Sequence, residues 1–525
     1  MDYRALLVLA AFLIVLLKFL QKLFSKQQLP FPPGPSPQLL GGNFRDLPTK
    51  KPWLTYTEWG RRYGDLMHAS ALGQHIVIVN SVKTAVELLE RRSHTYSDRP
   101  VLAMIDHIGW DFNIAFMRVG DRWRQHRRMF QQHFRPDASR NYRPIQMNKV
   151  HQLLQGLLSN PQDFREFVKT LAAAVIMSTV YGYEVKPAND RFVDLSESAI
   201  IKLGQSVFPG AAMVNAFPIL KHLPSWMPGA GFQRFAAGKY IIDKIILLPD
   251  FSSESRQMVQ EMREAPYDFV KQNMRDGVDS KSMVAKLLEA SQARGRSDED
   301  AIQDVAAVAY AAGADTTVSA LGSFILAMAV NPSIQKKAQV EIDAVVGSHR
   351  LPEFEDRPSM PFIEALYREV MRWKPVLPLG VAHATTTHDI YNGYFIPKGT
   401  TVISNIWAMT RDESIYPEPD RFNPDRFFTA DGTLNDDDTV LAFGFGRRIC
   451  PGRYSADATV WAAMVSILAT FNIAKAKDSA GNEIDIDLDN YSDGLVSHPL
   501  PFVCSITPRS DAAKSLVQAT EALDA

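Results

Sequence analysis

The pattern of apolar and polar positions divides the chain into three parts. An uninterrupted apolar run fills Ala5–Leu17, and apolar positions continue to Phe24. A proline-rich stretch follows, and the remainder mixes long segments of helical periodicity with short alternating segments. Long helical segments with few strands predict a mainly α fold with small β-sheets. Because the first apolar run is long enough to cross a bilayer, we predict an N-terminal transmembrane helix over residues 3–24.

Basic residues follow the apolar run instead of preceding it. They are Lys18, Lys22 and Lys26. A cleaved signal peptide carries its basic residues before the apolar run, so this order favours a retained membrane anchor. The positive-inside rule then places the rest of the chain in the cytosol. The prolines of residues 29–38 predict a stiff, extended linker between the anchor and the body.

Charge and cysteine content narrow the possible functions. The formal net charge is −1, so no nucleic-acid partner is expected. The two cysteines, Cys450 and Cys504, are too few for a disulfide scaffold or a cysteine-rich zinc site. After Arg509 the chain becomes polar, and we predict a disordered tail over residues 510–525.

One cysteine, Cys450, lies in a stretch rich in glycine and arginine, Phe443–Gly452. The glycines allow tight turns, and we expect backbone N–H groups and the N-terminus of the following helix to stabilise a thiolate. Arg448 supplies a cation suited to a carboxylate. These features fit axial ligation of haem iron, whereas the alternative is a buried, inert cysteine.

This stretch resembles the haem-binding loop of the cytochromes P450, F-x-x-G-x-R-x-C-x-G. The matching positions are Phe443, Gly446, Arg448, Cys450 and Gly452. The resemblance spans about Pro32 to Arg509 and is strongest to fungal, basidiomycete microsomal enzymes of the group called O-methylsterigmatocystin oxidoreductase-like. It implies a cytochrome P450 fold for a catalytic domain over residues 39–509, with haem b as cofactor and Cys450 as the axial ligand of its iron.

A helix predicted from about Ser297 to Val330 carries Ala312-Gly-Ala-Asp-Thr-Thr317 at its middle. Gly313 costs about 1 kcal/mol in a helix interior, and we expect it to let a planar ligand approach the helix. Asp315 and Thr316 then place an acid and a hydroxyl beside that ligand. The segment resembles the oxygen-activating motif of the same family, which implies that both residues, with water, deliver protons to dioxygen.

Trp123 and Arg127 lie four residues apart, on one face of a predicted helix. They match the family's W-x-x-x-R, which implies that both side chains reach a haem propionate. His383 lies where many relatives place a further propionate ligand. Arg124 and Arg128 form a neighbouring basic stripe, which predicts a docking surface for an acidic redox partner, whereas the alternative is a solvated face.

Glu369 and Arg372 share a helix face and match the family's E-x-x-R. In relatives an arginine from a P-x-R-F motif joins them. Taking that motif at Pro419-Asp-Arg-Phe422 gives the triad Glu369–Arg372–Arg421, which the resemblance implies is structural and holds the haem loop.

Apolar side chains are predicted to line the substrate pocket, and no charged residue stands out as a substrate anchor. The predicted lining residues are Leu102, Ile105, Phe112, Phe116, Val376, Leu377 and Leu495. Such a pocket suggests a neutral hydrophobic substrate: a terpenoid, a steroid or a polycyclic aromatic hydrocarbon. Another apolar segment, residues 217–229, is broken by prolines and predicts either a pocket lid or a second membrane contact.

The resemblance implies a haem-thiolate monooxygenase of the endoplasmic reticulum membrane, acting in secondary metabolism or in xenobiotic oxidation. No flavin or nicotinamide domain is evident, so NADPH would act through a separate NADPH–cytochrome P450 reductase. One alternative is a haem-thiolate isomerase or dehydratase, which needs no reductase and often lacks a threonine at the position of Thr316. Another is a membrane-anchored haem sensor, which has no need of the Asp315–Thr316 pair.

Overall fold

The computed structural model of the chain describes residues 29–39, 41–186, 189–207, 251–278, 281–438 and 440–521. The predicted anchor over residues 3–24 and the apolar segment 217–229 lie outside the described residues. Within them helices predominate and the sheets are small, which confirms the predicted mainly α fold.

Helices form the body of the protein. They are α1 (Pro52–Tyr63), α2 (Val82–Ala85, continued by a π-helical turn at Val86–Arg91), α3 (Ser93–Tyr96), α4 (Ala103–His107), α5 (Asp121–Phe134), α6 (Pro136–Arg140), α7 (Arg143–Ser159), α8 (Phe164–Tyr181), α9 (Arg191–Val207), α10 (Phe251–Arg275), α11 (Met283–Ala293), α12 (Glu299–Val330), α13 (Pro332–Val345), α14 (Pro361–Trp373), α15 (Ile406–Met409), α16 (Arg453–Thr470) and α17 (Asp511–Ala519).

The long helix α12 is the centre of the core. It is apolar on nearly all sides, and a helix of that kind is stable only when protein surrounds it. It packs against α8 and α16, and Phe324 is among the largest fully buried side chains. Within the described part of the chain, α12 alone is long and apolar enough to cross a membrane, but most of its apolar surface is buried inside the protein.

The strands form three small sheets. They are β1 (Leu66–Ala71), β2 (Gln74–Val79), β3 (His383–Ala384), β4 (Asp389–Tyr391), β5 (Tyr394–Ile396), β6 (Thr401–Ser404), β7 (Phe471–Lys475) and β8 (Cys504–Pro508). The largest sheet has the order β1-β2-β6-β3, in which β2 and β6 run parallel and the other pairs antiparallel. A turn at Asn392-Gly393 joins β4 to β5, with φ of 49° and 79° at its two central residues.

The described part of the linker is bonded to strand β5 of the β4-β5 sheet and to strand β1 of the largest sheet. The Phe395 N–H donates to the Pro30 carbonyl oxygen at 2.8 Å, and the His68 N–H donates to Pro33 at 2.9 Å. A Cβ at Gly34 would come within 1.9 Å of the His68 carbonyl oxygen, so glycine is required at this close approach. The linker is therefore attached to the body by its own backbone.

The C-terminal tail contains a helix where disorder was predicted. α17 begins after Ser510, whose hydroxyl accepts from the Ala513 N–H at 3.1 Å. Val517 is buried in the main core, and Gln155 of α7 donates to the Thr520 hydroxyl at 2.9 Å. The prediction of a disordered polar tail is wrong for this segment, because two apolar residues four positions apart give the helix a face to bury.

Candidate functional site

The candidate site is built around the loop that leads from Phe443 to the start of α16. The Cys450 N–H donates to the Phe443 carbonyl oxygen at 2.9 Å, which closes the loop on itself. Gly446 has a φ of 54°, and a Cβ there would come within 2.2 Å of the Leu89 carbonyl oxygen. Glycine is therefore required where the loop packs on the π-helical turn Val86–Arg91.

The surroundings of the Cys450 thiol act in opposite directions on its ionisation. Burial raises the pKa of the thiol, whereas the Gly452 N–H, Arg127 and Arg453 lower it. Burial is the largest effect, so the pKa lies above its ordinary value. The neighbouring donors therefore act in the expected direction, but burial outweighs them in the protein by itself. Coordination to a metal ion deprotonates a thiol.

Arg448 belongs to the same loop, and its side chain is buried. Its guanidinium stacks on the Trp123 ring, 4.4 Å from the ring centroid. Its Nε donates to the Ser97 carbonyl oxygen at 2.7 Å and its Nη1 to that of Ile114 at 3.3 Å. Its Nη2 is buried and has no partner among the described residues. Burial lowers the pKa of Arg448 to about 10, as expected for a cation withdrawn from water without an anion in contact.

A second buried arginine, Arg99, belongs to the site but was not predicted from the sequence. Its Nη1 donates to the carbonyl oxygens of Val381 and Ala382 at 2.6 and 2.7 Å. Its Nε is buried and has no partner among the described residues. No motif in the sequence marks Arg99.

His383 and Arg127 add two basic groups beside the thiol. The His383 Nδ1–H donates to the Tyr96 carbonyl oxygen at 2.7 Å, and Arg127 Nη1 donates to that of Ile449 at 2.7 Å. Burial lowers the pKa of both side chains. Together these groups border one cavity and form what we call the thiol wall, which consists of Arg99, Arg127, His383, Arg448 and Cys450.

The thiol wall fits haem. Two buried guanidinium groups offer N–H donors that no described residue accepts, and buried donors of that kind require an anion or water. The haem propionates are carboxylates, which arginine binds well, and the Cys450 sulfur is a suitable axial ligand. The structure therefore brings together the predicted residues Trp123, Arg127, His383, Arg448 and Cys450.

The α12 wall of the same cavity carries the predicted acid and hydroxyl. The Thr316 hydroxyl donates to the Ala312 carbonyl oxygen at 2.8 Å, and Asp315 Oδ1 lies 3.1 Å from His498 Nε2. A Cβ at Gly313 would come within 3.0 Å of the Ile176 side chain on α8. Gly313 thus also permits close packing of α12 on α8, a reason that the sequence pattern did not reveal.

The main cavity has a volume of about 1510 Å³ and a mostly apolar lining. Phe116, Val376, Leu377 and Leu495 line it as predicted. The prediction is wrong for Leu102, Ile105 and Phe112, which pack into the core around Trp110 instead. Charged side chains also border the cavity. They are Arg45 and Lys50, in the chain that follows the linker, and Asp493, in the loop before β8.

The buried ion triad uses a different arginine from the predicted one. Glu369 is fully buried and pairs with Arg372 at 2.7 Å and with Arg426 at 3.2 Å. Arg421 lies at the surface, where it pairs with Glu418 at 3.3 Å. The tetrapeptide Pro-Asp-Arg-Phe occurs at both 419–422 and 424–427, and the second copy supplies the triad. Arg426 therefore replaces Arg421.

Two arginines of the predicted basic stripe face solvent. Arg124 is exposed and pairs with Asp121 at 2.8 Å, and Arg128 is exposed as well. Arg127 turns inward to the thiol wall and so does not belong to the surface. Because Arg127 bonds to Ile449, α5 touches the cysteine loop, and the exposed stripe lies beside the thiol side of the cavity.

Comparison with known proteins gives one consistent result. The family model for cytochrome P450 matches residues 32–505. Cytochrome P450 monooxygenase COX1 of Coprinopsis cinerea is 39% identical over 96% of this chain and 97% of its own length. Cytochrome P450 monooxygenase 208 of Postia placenta is 40% identical over 99% of this chain and 97% of its own. Cytochrome P450 monooxygenase ple1 of Rhodocybe pseudopiperita is 39% identical over 98% of this chain and 97% of its own length.

Proposed function

Since the chain belongs to the cytochrome P450 family of oxidoreductases, we propose that it is a haem-thiolate monooxygenase that inserts one atom of dioxygen into a hydrophobic small molecule. The observation that carries the proposal is the convergence on one cavity of the Cys450 thiol, a cluster of buried basic groups and the Asp315–Thr316 pair. Relatives that match along nearly their whole length and are named monooxygenases support it.

Cys450 holds the haem iron in this proposal, and Arg99, Arg127, His383 and Arg448 hold the carboxylates. When bound, haem with a thiolate ligand supplies the activation of dioxygen. The protein contributes charge compensation, a dry pocket and proton delivery. The buried donors on the thiol wall that have no partner among the described residues are the ones suited to the carboxylates of the cofactor.

Asp315 and Thr316 deliver protons. The Thr316 hydroxyl is fixed on the cavity wall by its bond to Ala312, and its oxygen lone pairs remain able to accept from water. Asp315 is only partly buried, so it can exchange protons with solvent. A general acid of this kind typically contributes about 10²- to 10⁴-fold to a rate.

The substrate is a neutral hydrophobic compound, such as a terpenoid, a steroid or a polycyclic aromatic hydrocarbon. Apolar side chains around Phe116, Val376 and Leu377 favour such a ligand, because burying apolar surface drives binding. A cavity of about 1510 Å³ holds both haem and a substrate of several rings. Secondary metabolism and xenobiotic oxidation both use substrates of this class.

Electrons come from NADPH through a separate NADPH–cytochrome P450 reductase. Arg124 and Arg128 offer it a basic surface next to the cysteine loop. The apolar run over residues 3–24 anchors the protein in the endoplasmic reticulum membrane by a single pass, with the body in the cytosol. Reductase and catalytic body then share the same side of the membrane.

The test is a reconstitution of the purified holoenzyme with reductase, NADPH and a panel of terpenoids, steroids and polycyclic aromatics. We expect a product that carries one oxygen atom from isotopically labelled dioxygen and that requires both NADPH and reductase. Turnover without reductase would instead identify an isomerase or dehydratase. Haem binding with no turnover across the panel would identify a sensor.

A further inference from the structure

A second, smaller cavity of about 280 Å³ lies against α12. Among the described residues, Asp315 and His498 are the ionisable groups that border both cavities. The second cavity is also bordered by Arg165 and Lys169 of α8 and by Glu197 of α9, whereas Thr316 borders only the main cavity. Asp315 therefore lies between this second cavity, which several charged side chains border, and the place where Thr316 acts.

His498 contacts the carboxylate of Asp315 directly. Its Nε2 lies 3.1 Å from Asp315 Oδ1, within ion-pair distance. The loop that carries His498 is bonded to α12 next to this contact, because the Ser319 hydroxyl donates to the Ser497 carbonyl oxygen at 2.6 Å. The His498 N–H also donates to the Ser492 hydroxyl at 2.8 Å. The imidazole is thus held in a fixed position relative to the acid.

Water has access to this pair. The side chains of His498 and Asp315 are 26% and 25% exposed. The second cavity is several times larger than the roughly 30 Å³ that one water molecule occupies. Arg165 on its border has a buried Nη1 with no partner among the described residues, which is the kind of group that ordered water satisfies.

We propose that His498 is a positioning residue that holds the Asp315 carboxylate between the two cavities, so that protons reach the main cavity from water in the second cavity. A proton from bulk solvent, relayed by water in the second cavity, adds to the Asp315 carboxylate; the neutral acid passes a proton on toward Thr316, and both the water and the carboxylate are restored. Two such transfers accompany the two electrons from NADPH, so one oxygen atom leaves as water and the other enters the product. The inference rests on the proposed role of Asp315 and Thr316 in proton delivery.

The experiment measures product formed and peroxide released per NADPH in the reconstituted holoenzyme. We expect His498→Ala to lower product per NADPH by about tenfold, the factor that one hydrogen bond to a charged group represents. Haem content, the spectrum of the reduced carbon monoxide complex and the KM for substrate should stay unchanged. The solvent deuterium isotope effect on product formation should rise, which a purely structural role of His498 does not predict.

Two further variants separate positioning from packing. His498→Gln keeps an N–H donor and should recover most of the lost product. The double variant His498→Ala with Asp315→Asn should be no worse than Asp315→Asn alone, because His498 acts only through Asp315. His349→Ala removes an exposed histidine that borders neither cavity and serves as the matched control.

The possible outcomes distinguish this inference from the proposed function. If His498→Ala keeps the product ratio while Asp315→Asn and Thr316→Ala lower it, the role of His498 is refuted and proton delivery by α12 stands. If all three keep the ratio, the proposed proton delivery fails and the inference fails with it. Additive losses in the double variant would also overturn the positioning role.

Discussion

The two walls of the main cavity hold their polar groups in different ways. On the thiol wall, Arg99 and Arg448 are 5% and 9% exposed, and each donates to two backbone carbonyls while keeping one buried N–H without a partner. On the α12 wall, Thr316 and Asp315 are partly exposed; the Thr316 hydroxyl bonds to one backbone carbonyl, and Asp315 contacts His498. The first wall is arranged to hold a fixed anion, whereas the second keeps groups that exchange with water. Substitutions in the thiol wall should therefore reduce haem binding. Substitutions in the α12 wall should preserve haem binding but divert electrons from product formation to peroxide.

The sharpest contrast is between the two cysteines. Cys450→Ala should abolish the red-shifted Soret band of the reduced carbon monoxide complex, because it removes the sulfur ligand from the thiol wall. Cys504→Ala should leave the band unchanged. Cys504 lies in β8, where burial raises the pKa of its thiol to about 12. Persistence of the band in Cys450→Ala would show that another group holds the iron.

The two copies of Pro-Asp-Arg-Phe give a second contrast. Arg426→Ala should lower the free energy of unfolding by about 3 kcal/mol and weaken haem retention, because it removes a partner from the buried Glu369 carboxylate. Arg421→Ala should change stability by less than about 1 kcal/mol, since its pair with Glu418 is exposed. Thermal unfolding and haem content of both variants check this prediction, and equal losses would contradict the corrected triad.

On the α12 wall the expected effect concerns the use of electrons. Thr316→Ala should keep haem and NADPH consumption but divert much of the consumption to hydrogen peroxide, lowering product per NADPH by about 10-fold or more. Thr317→Ala should do much less, because the next residue points about 100° away around the helix. An unchanged ratio of product to NADPH in Thr316→Ala would remove this residue from proton delivery. Loss of haem in Thr316→Ala would contradict the proposed difference between the thiol wall and the α12 wall.

The smallest expected effect lies on the surface outside the thiol wall. Arg124→Glu should slow electron transfer from reductase by roughly fivefold, the equivalent of about 1 kcal/mol for an exposed charge pair, and weaken its salt dependence. Lys398→Glu makes the same charge change at an exposed turn before β6 and should have no effect. Stopped-flow reduction at several salt concentrations measures both. Equal slowing in the two variants would mean that net charge, and not this surface, controls docking.

Sequence motifs located the parts of the site that depend on local spacing. The segment Phe443–Gly452 and the pair Asp315–Thr316 fall on one cavity as the motifs imply, and helix α12 ends at Val330 as predicted. Arg99 escaped prediction because its role depends on carbonyls almost three hundred residues away, at Val381 and Ala382. Only the folded chain brings those groups together.

Other errors came from motifs without tertiary context. Arg421 and Arg426 lie in identical tetrapeptides, and no local property shows which of them reaches Glu369. Likewise, Phe112 is apolar whether it faces a substrate or the core, so periodicity does not assign it to either. In both cases the deciding information is the packing partner.

The backbone attachment of the linker to β5 and β1 limits how far the body can lie from the proposed anchor. The proposed anchor ends at Phe24 and the first linker residue bonded to the body is Pro30, so six residue-to-residue steps separate the two points. Six such steps, fully extended, span about 22 Å at most. That length is shorter than the roughly 30 Å hydrocarbon core of the bilayer. If the proposed anchor is in place, the body is therefore held close above the lipid, and a hydrophobic compound dissolved in the membrane has little water to cross before it reaches the protein.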